Sequence, residues 1–145
     1  MATVRDILAV KGTHVLSIGP EATVLDAAVL MNEHKIGSLL VTDGGRLAGI
    51  ITERDILQRV VARRRDPAAT PVREVMTAEV VCGGPDTTLD EVRGSMKNRR
   101  IRHLPILDGD EQLLGMVSIG DLNAHQARDQ EVTIHVLHEY IQGRT

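Results

Sequence analysis

The sequence predicts an α/β (α+β) protein made of two copies of one small unit, each β-α-β-β-α, followed by a C-terminal helix. Three observations carry this expectation: an internal repeat, a hairpin signal at the same place in each copy, and apolar residues at helical spacing ahead of each hairpin. Pairing Gly19-Pro20-Glu21 with Gly84-Pro85-Asp86, a shift of 65, aligns Thr23/Thr88, Met31/Met96, Ile36/Ile101, Leu39/Leu104, Asp43/Asp108 and Gly44/Gly109 without a gap. Eight of 26 positions are identical. After one extra residue near Asp110 the register continues as Leu47/Leu113, Gly49/Gly115 and Asp55/Asp121, and upstream Val4-Arg5-Asp6-Ile7-Leu8 answers Val72-Arg73-Glu74-Val75-Met76.

Each element follows from local chemistry. A short extended piece, at about 14–17 and again at 79–82, leads through a Gly-Pro turn into a helix near Val24 or Leu89. The helix is marked by Val24, Ala27 and Met31 in one copy and by Leu89, Val92 and Met96 in the other, the 3, 4 and 7 spacing of one helix side. Two strands follow, at 38–42 and 47–51, then at 103–107 and 113–117, flanking Asp43-Gly44-Gly45 and Asp108-Gly109-Asp110; Asp-Gly between apolar runs signals a hairpin. A second helix starts after Thr52 or Ser118. The expected division is 3–61 for the first unit, 62–71 for a connector with two prolines and an arginine triplet, 72–123 for the second unit and 124–145 for the terminal helix. A unit of that size alone buries only about 60% of its extended-chain surface, so two copies sharing a core is the natural remedy. In the terminal helix Val132, Val136 and Tyr140 recur every four residues, a stripe that calls for a partner and predicts a homodimer; Gly143 is a candidate cap, and His135 with His138 lacks a third metal ligand.

Composition narrows the function. The 145 residues carry 17 Lys and Arg against 20 Asp and Glu, a formal charge of −3, and one aromatic residue, Tyr140. Without Phe or Trp there is no platform for stacking single-stranded bases, and no basic excess to attract polyanions, so nucleic acid is not an expected partner. No stretch approaches the roughly 20 apolar residues of a membrane span, and the N-terminus lacks the basic start and apolar run of a signal peptide. One cysteine, Cys82, excludes an intramolecular disulfide and reads as a buried thiol in a reducing compartment. The expected location is the cytoplasm.

The sharpest motif is Gly49-Ile50-Ile51-Thr52-Glu53-Arg54-Asp55 with its echo Gly115-Met116-Val117-Ser118-Ile119-Gly120-Asp121. A hydroxyl followed three residues later by an acid is a capping box for a helix N-terminus. The same geometry places a carboxylate one turn into a helix that begins at a strand end, where it can accept two hydrogen bonds from a ribose diol. The two roles are compatible.

These motifs, together with Ile36-Gly37-Ser38-Leu39-Leu40-Val41-Thr42-Asp43 and Arg100-Ile101-Arg102-His103-Leu104-Pro105-Ile106-Leu107-Asp108, resemble tandem CBS domains, the module named after cystathionine beta-synthase, over residues 3–123. The resemblance implies a non-catalytic regulatory pair of pseudo-twofold related units with two clefts for adenosine-containing ligands: AMP, ADP or ATP, with NAD(H) or S-adenosylmethionine as further candidates. It implies that one site uses Asp55, Thr52 and Arg54, with Val80, Val81 and Ile101 around the base and Arg102 toward phosphate. The other would use Asp121, Ser118 and Gly120, with Val15, Leu16 and Ile36 around the base and His103 toward phosphate. Gly37 and Ser38 stand where the second copy has Arg102 and His103, so the two sites differ in phosphate chemistry. On a strand, Arg102 and His103 would point to opposite faces. Such pairs generally dimerise and signal to a protein partner, here unknown. Two other readings compete: a structural dimerisation protein with unoccupied clefts, and a small nucleotide-dependent enzyme. Against the enzyme, the chain shows no phosphate loop, no paired nucleophile and base, and no metal set.

Overall fold

The computed structural model describes residues 1–128. The terminal helix expected over 124–145, with its Val132, Val136 and Tyr140 stripe, its His135 and His138 pair and the Gly143 cap, falls beyond residue 128 for all but its first turn, outside the described residues. The described chain runs α1 (Val4–Lys11), β1 (Ser17–Ile18), α2 (Val24–His34), β2 (Ser38–Asp43), β3 (Arg46–Thr52) and α3 (Glu53–Ile56), which continues as a π-helical turn over Leu57–Val61. After a short 3-10 turn (Val72–Glu74) come α4 (Leu89–Arg99), β4 (His103–Leu107), β5 (Leu113–Ser118) and a helix, α5, described over 119–128.

The repeat is visible in the caps. Thr23 caps α2 by accepting from the Asp26 N–H at 3.1 Å, and Thr88 caps α4 by accepting from the Glu91 N–H at 3.1 Å. Both helices stop on a residue in the left-handed region, Lys35 and Arg100, each at φ 54°. The first hairpin turns through Gly44 and Gly45, at φ 59° and 83°, with Asp43 opposite Arg46, the conformation for which glycine is selected in a two-residue turn. The second turn is longer and is held by Asp108, whose Oδ1 accepts from the N–H groups of Asp110 and Gln112 at 2.8 and 2.9 Å.

The copies differ in their first strand. In the first unit β1 pairs parallel to β2, and β2 antiparallel to β3. In the second the expected strand shrinks to one bridge, Gly83 beside Ile106, in which the Gly83 N–H donates to Pro105 and the Leu107 N–H donates to Gly83, both at 2.9 Å. The next rung would need an N–H at position 105 to reach the carbonyl of Val81, and proline has none. Leu40 holds that place in the first unit. Cys82, outside any strand, is therefore exposed rather than the buried thiol its residue type suggests, although partial burial still pushes its thiol pKa up.

Packing exchanges the two lead-in segments. Val4, Ile7 and Leu8 of α1 are buried with Val92, Met96, Leu104, Ile106, Val117 and Leu122, all of the second unit. Val72 and Val75, which open the second unit in sequence, are buried with Val24, Ala27, Met31, Leu39, Val41, Ile51 and Val60 of the first. The exchange is symmetric to the level of single bonds. The Val4 and Arg5 N–H groups donate to Thr87 and Pro85, while those of Val72 and Arg73 donate to Ala22 and Pro20. Arg5 pairs with Asp86 at 2.7 Å and Arg73 with Glu21 at 2.9 Å. The connector takes part as well: the Val24 and Leu25 N–H groups at the start of α2 donate to Thr70 and Pro67.

The motif glycines mark where the exchanged segments cross. A Cβ on Gly49 would sit 2.7 Å from the Thr77 carbonyl oxygen, and on Gly115 it would sit 2.9 Å from Leu8 Cδ2. Thr77 closes the sheet edge by exchanging hydrogen bonds with Ile50 at 3.0 and 2.8 Å.

Candidate functional site

A cleft of about 560 Å³ opens between the units. One wall is the junction of β3 and α3. Thr52 ends the strand in extended conformation and caps the helix, so Glu53, Arg54 and Asp55 fall at the cleft mouth. The other wall is the run Thr77, Glu79, Val80 and Val81 and the turn Arg100, Ile101 and Arg102 after α4.

The Thr52–Asp55 pair is a complete capping box. The Asp55 N–H donates to Thr52 Oγ1 at 3.1 Å, and the Thr52 N–H donates to Asp55 Oδ2 at 3.0 Å. Oδ1 is left with the Arg59 Nε at 4.0 Å, a distance beyond hydrogen bonding. Arg59 spends its Nη1 on the carbonyl of Val75, at 2.8 Å. A buried carboxylate thus keeps one oxygen with acceptor capacity in a cleft.

Of the residues expected around the first site, Thr52, Arg54, Asp55, Val80, Val81, Ile101 and Arg102 all line this cleft. Gly37, His103, Ser118 and Gly120, expected at the second site or as its counterparts, line it too. Arg102 precedes β4, so strand alternation does not separate it from His103, and both face one cleft. Ser38 is buried in the ladder opposite Thr52. Val15, Leu16, Ile36 and Asp121 are not among the residues lining the cleft; Ile36 lies instead on a shallow groove with Lys35 and Ile56.

Asp121 repeats the capping box of Asp55, accepting from the Ser118 N–H at 2.8 Å, but its Oδ2 also accepts from Lys11 Nζ at 2.7 Å. Burial raises its pKa, and the Lys11 hydrogen bond, the Ser118 N–H and the Lys11 charge outweigh burial, so the net shift is downward. His103 is held below its ordinary value by burial first, then by the charges of Lys11 and Arg102. It therefore gives up its proton more readily than a free imidazole, which opposes its charging to meet a phosphate.

Sequence reasoning missed Ile50, Glu53, Thr77, Glu79, Arg100 and Ile119 in the lining. Glu53 stands inside the motif and carried a signal of its position; Thr77 and Glu79 arrive through the exchanged segment and carried none. Arg54, Arg100 and Arg102 continue from the cleft into a shallow groove shared with Arg93 and Lys97, and no carboxylate is among that groove's lining residues. Among the described residues no group of three His, Cys, Asp or Glu could hold a metal ion, and no helix is long and apolar enough to cross a membrane.

Comparison with known proteins supplies the family. A CBS domain model matches residues 4–62 and again 72–127. The CBS domain-containing protein YhcV of Bacillus subtilis is 38% identical over 130 residues, covering 90% of this chain and 89% of the relative. The structure of a protein with CBS domains from Burkholderia ambifaria superposes with a TM-score of 0.85 at 43% identity, covering 89% of this chain and 96% of the other. The CBS domain pair of protein MJ0100, solved with 5′-methylthioadenosine and S-adenosyl-L-methionine, gives a TM-score of 0.79 at 25% identity over 89% of this chain and 98% of that one. With both halves matched and the repeat symmetry present in its caps, hydrogen bonds and ion pairs, the chain belongs to the CBS-domain family as a tandem pair.

Proposed function

We propose that this chain is a non-catalytic sensor that binds an adenosine-containing ligand, with AMP, ADP or ATP preferred and NAD(H) or S-adenosylmethionine as further candidates, in the cleft at Asp55. The observation that carries the reading is the divided use of the carboxylate of Asp55, which lines the cleft: Oδ2 caps α3 while Oδ1 has, among the described residues, no partner closer than Arg59 at 4.0 Å. A ribose diol is the matching donor pair. Val80, Val81 and Ile101 provide an aliphatic slot for adenine in a protein without Phe or Trp, and Arg54 with Arg102 provides cations toward phosphate. The adenosine ligands of the MJ0100 domain pair support the same ligand class.

A ligand in this position touches both units, Asp55 from one and Ile101 and Arg102 from the other. It biases the arrangement of the pair toward whatever geometry fits it, which a protein partner can read. The module works as a homodimer through its first unit: Leu57 and Val61 are each 60% exposed and Val29 48%. The corresponding second-unit positions are Asn123, Ala127 and Gly94, so among the described residues this apolar helical face belongs to the first unit. The single unpaired thiol fits a cytoplasmic setting.

The reading is tested on the purified protein. With one Tyr and no Trp the chain absorbs weakly at 280 nm, so a retained adenine ligand dominates the spectrum near 260 nm. Denaturation, filtration and mass analysis should release an adenosine compound. A clean filtrate, followed by no binding of AMP, ADP, ATP, NAD, NADH or S-adenosylmethionine at millimolar concentration, would overturn it.

A further inference from the structure

The two motif aspartates are equivalent in sequence and in their capping bonds, yet only Asp121 also holds a cation at hydrogen-bond distance, on the same Oδ2 that caps its helix. Asp55 meets a cleft. Asp121 meets Lys11, whose ammonium donates to Asp121 Oδ2 at 2.7 Å and to the Met116 carbonyl at 2.6 Å. Lys11 is the last residue of α1, and Val4, Ile7 and Leu8 of that helix are buried in the core of the second unit. The ammonium is thus delivered by a packed helix and held at two acceptors, not by a loose surface chain. Its side chain is 35% exposed and that of Asp121 24%, so the pair sits at the mouth of the second unit and not within its core.

At the corresponding place in the first unit no lysine intervenes. The exchanged lead-in there places Thr77 against β3, where it bonds Ile50 backbone to backbone, and the nearest cation to Asp55 among the described residues is Arg59, at 4.0 Å. The exchange therefore builds two sites of opposite state from one repeated motif.

We infer that Lys11 is an internal plug: its ammonium is paired with the carboxylate that would hold the ribose of the second adenosine site, so that the chain binds one adenosine ligand at Asp55 and displays a second site, at Asp121, only when Lys11 is withdrawn. This rests on the adenosine reading above. A ribose diol that spans both oxygens of Asp121 displaces the ammonium from Oδ2, exchanging a charged partner for a neutral donor. Hydrogen bonds to charged groups are strong enough that this exchange weakens the second site about 10- to 100-fold. The pair also has a switching use, because anything that draws α1 off the second unit, or gives the ammonium a different anion, frees the carboxylate.

The test is calorimetric stoichiometry with AMP, and in parallel with S-adenosylmethionine, on the full chain. Lys11→Met keeps the aliphatic stem and removes the charge, and Lys11→Gln is the companion variant should the first fail to fold. At concentrations that saturate the Asp55 site, the parent binds one ligand per chain and loses it in Asp55→Ala. The Lys11 variant binds two, one of which survives Asp55→Ala and disappears when Asp121→Ala is added. A parent that binds two ligands of similar affinity overturns the plug and leaves the adenosine reading standing, as does a folded Lys11 variant that still binds one. No binding by any variant removes both.

Discussion

Thr52 and Asp55 exchange hydrogen bonds at 3.0 and 3.1 Å, and the exchange uses only one of the two carboxylate oxygens. Capping and ligand recognition are therefore separable by mutation. Thr52→Ala removes the hydroxyl that caps α3 and should cost about 1 kcal/mol of stability in urea denaturation. Asp55→Ala should weaken AMP binding about 10- to 100-fold, because it deletes a charge-assisted acceptor. Folded Asp55→Ala that binds like the parent would reduce the aspartate to a cap.

Arg102 lines the cleft and also the basic groove beyond it, on the path a phosphate chain would take from the ribose. Arg102→Ala should abolish a preference for ATP over adenosine while leaving adenosine affinity close to that of the parent. In the parent, added salt should weaken ATP more than adenosine, because an exposed cation-phosphate attraction is screened over about 8 to 10 Å. Equal loss for both ligands would assign Arg102 to the base pocket or the fold.

His103 supplies a pH prediction whose sign follows from its depressed pKa. The unfolded chain takes up a proton near 6.5, the folded chain only at lower pH, so between the two the unfolded state binds more protons. Stability from this group is present above 6.5 and declines as pH falls through that window. His103→Gln should flatten that part of a stability-against-pH curve measured by urea midpoint. Phosphate affinity should rise less on acidification than an imidazole of ordinary pKa would give.

Gly49 and Gly115 test the exchanged lead-ins. A methyl on Gly49 meets backbone, the Thr77 carbonyl at 2.7 Å, whereas on Gly115 it meets the end of a leucine side chain. Gly49→Ala should cost about 1 to 3 kcal/mol, the range of overpacked sites. Gly115→Ala should cost less, as Leu8 turns aside. Ile7→Ala, in a core that belongs to the second unit, should cost about 2 to 5 kcal/mol. Hydrogen exchange should place its greatest loss of protection in α4 and β4, not in the adjacent β1 or α2.

Much of this was legible from residues alone, and the reasons are local. The hairpins announce themselves in Asp43-Gly44-Gly45 and Asp108-Gly109-Asp110, the helix starts in Thr23, Thr52 and Thr88, and the repeat in the spacing of Asp55 and Asp121. The lost rung at Pro105 follows from a missing N–H and was readable in principle. The exchange of Val4–Leu8 with Val72–Met76 was not: the two segments resemble each other, and nothing in either says which core it enters. For the same reason Lys11 gave no sign of Asp121, since the pair joins residues 110 apart through that exchange.

Adenosine binding in the cleft at Asp55 is open to direct titration. Calorimetric titration of the ligand-stripped protein with AMP, ADP, ATP, NAD, NADH and S-adenosylmethionine, alongside folded Asp55→Ala, tests it most directly. Saturable binding of at least one of them, with affinity reduced about 10- to 100-fold by the substitution, is the predicted result. Absence of heat across the panel at millimolar concentration, or binding indifferent to Asp55, would contradict it.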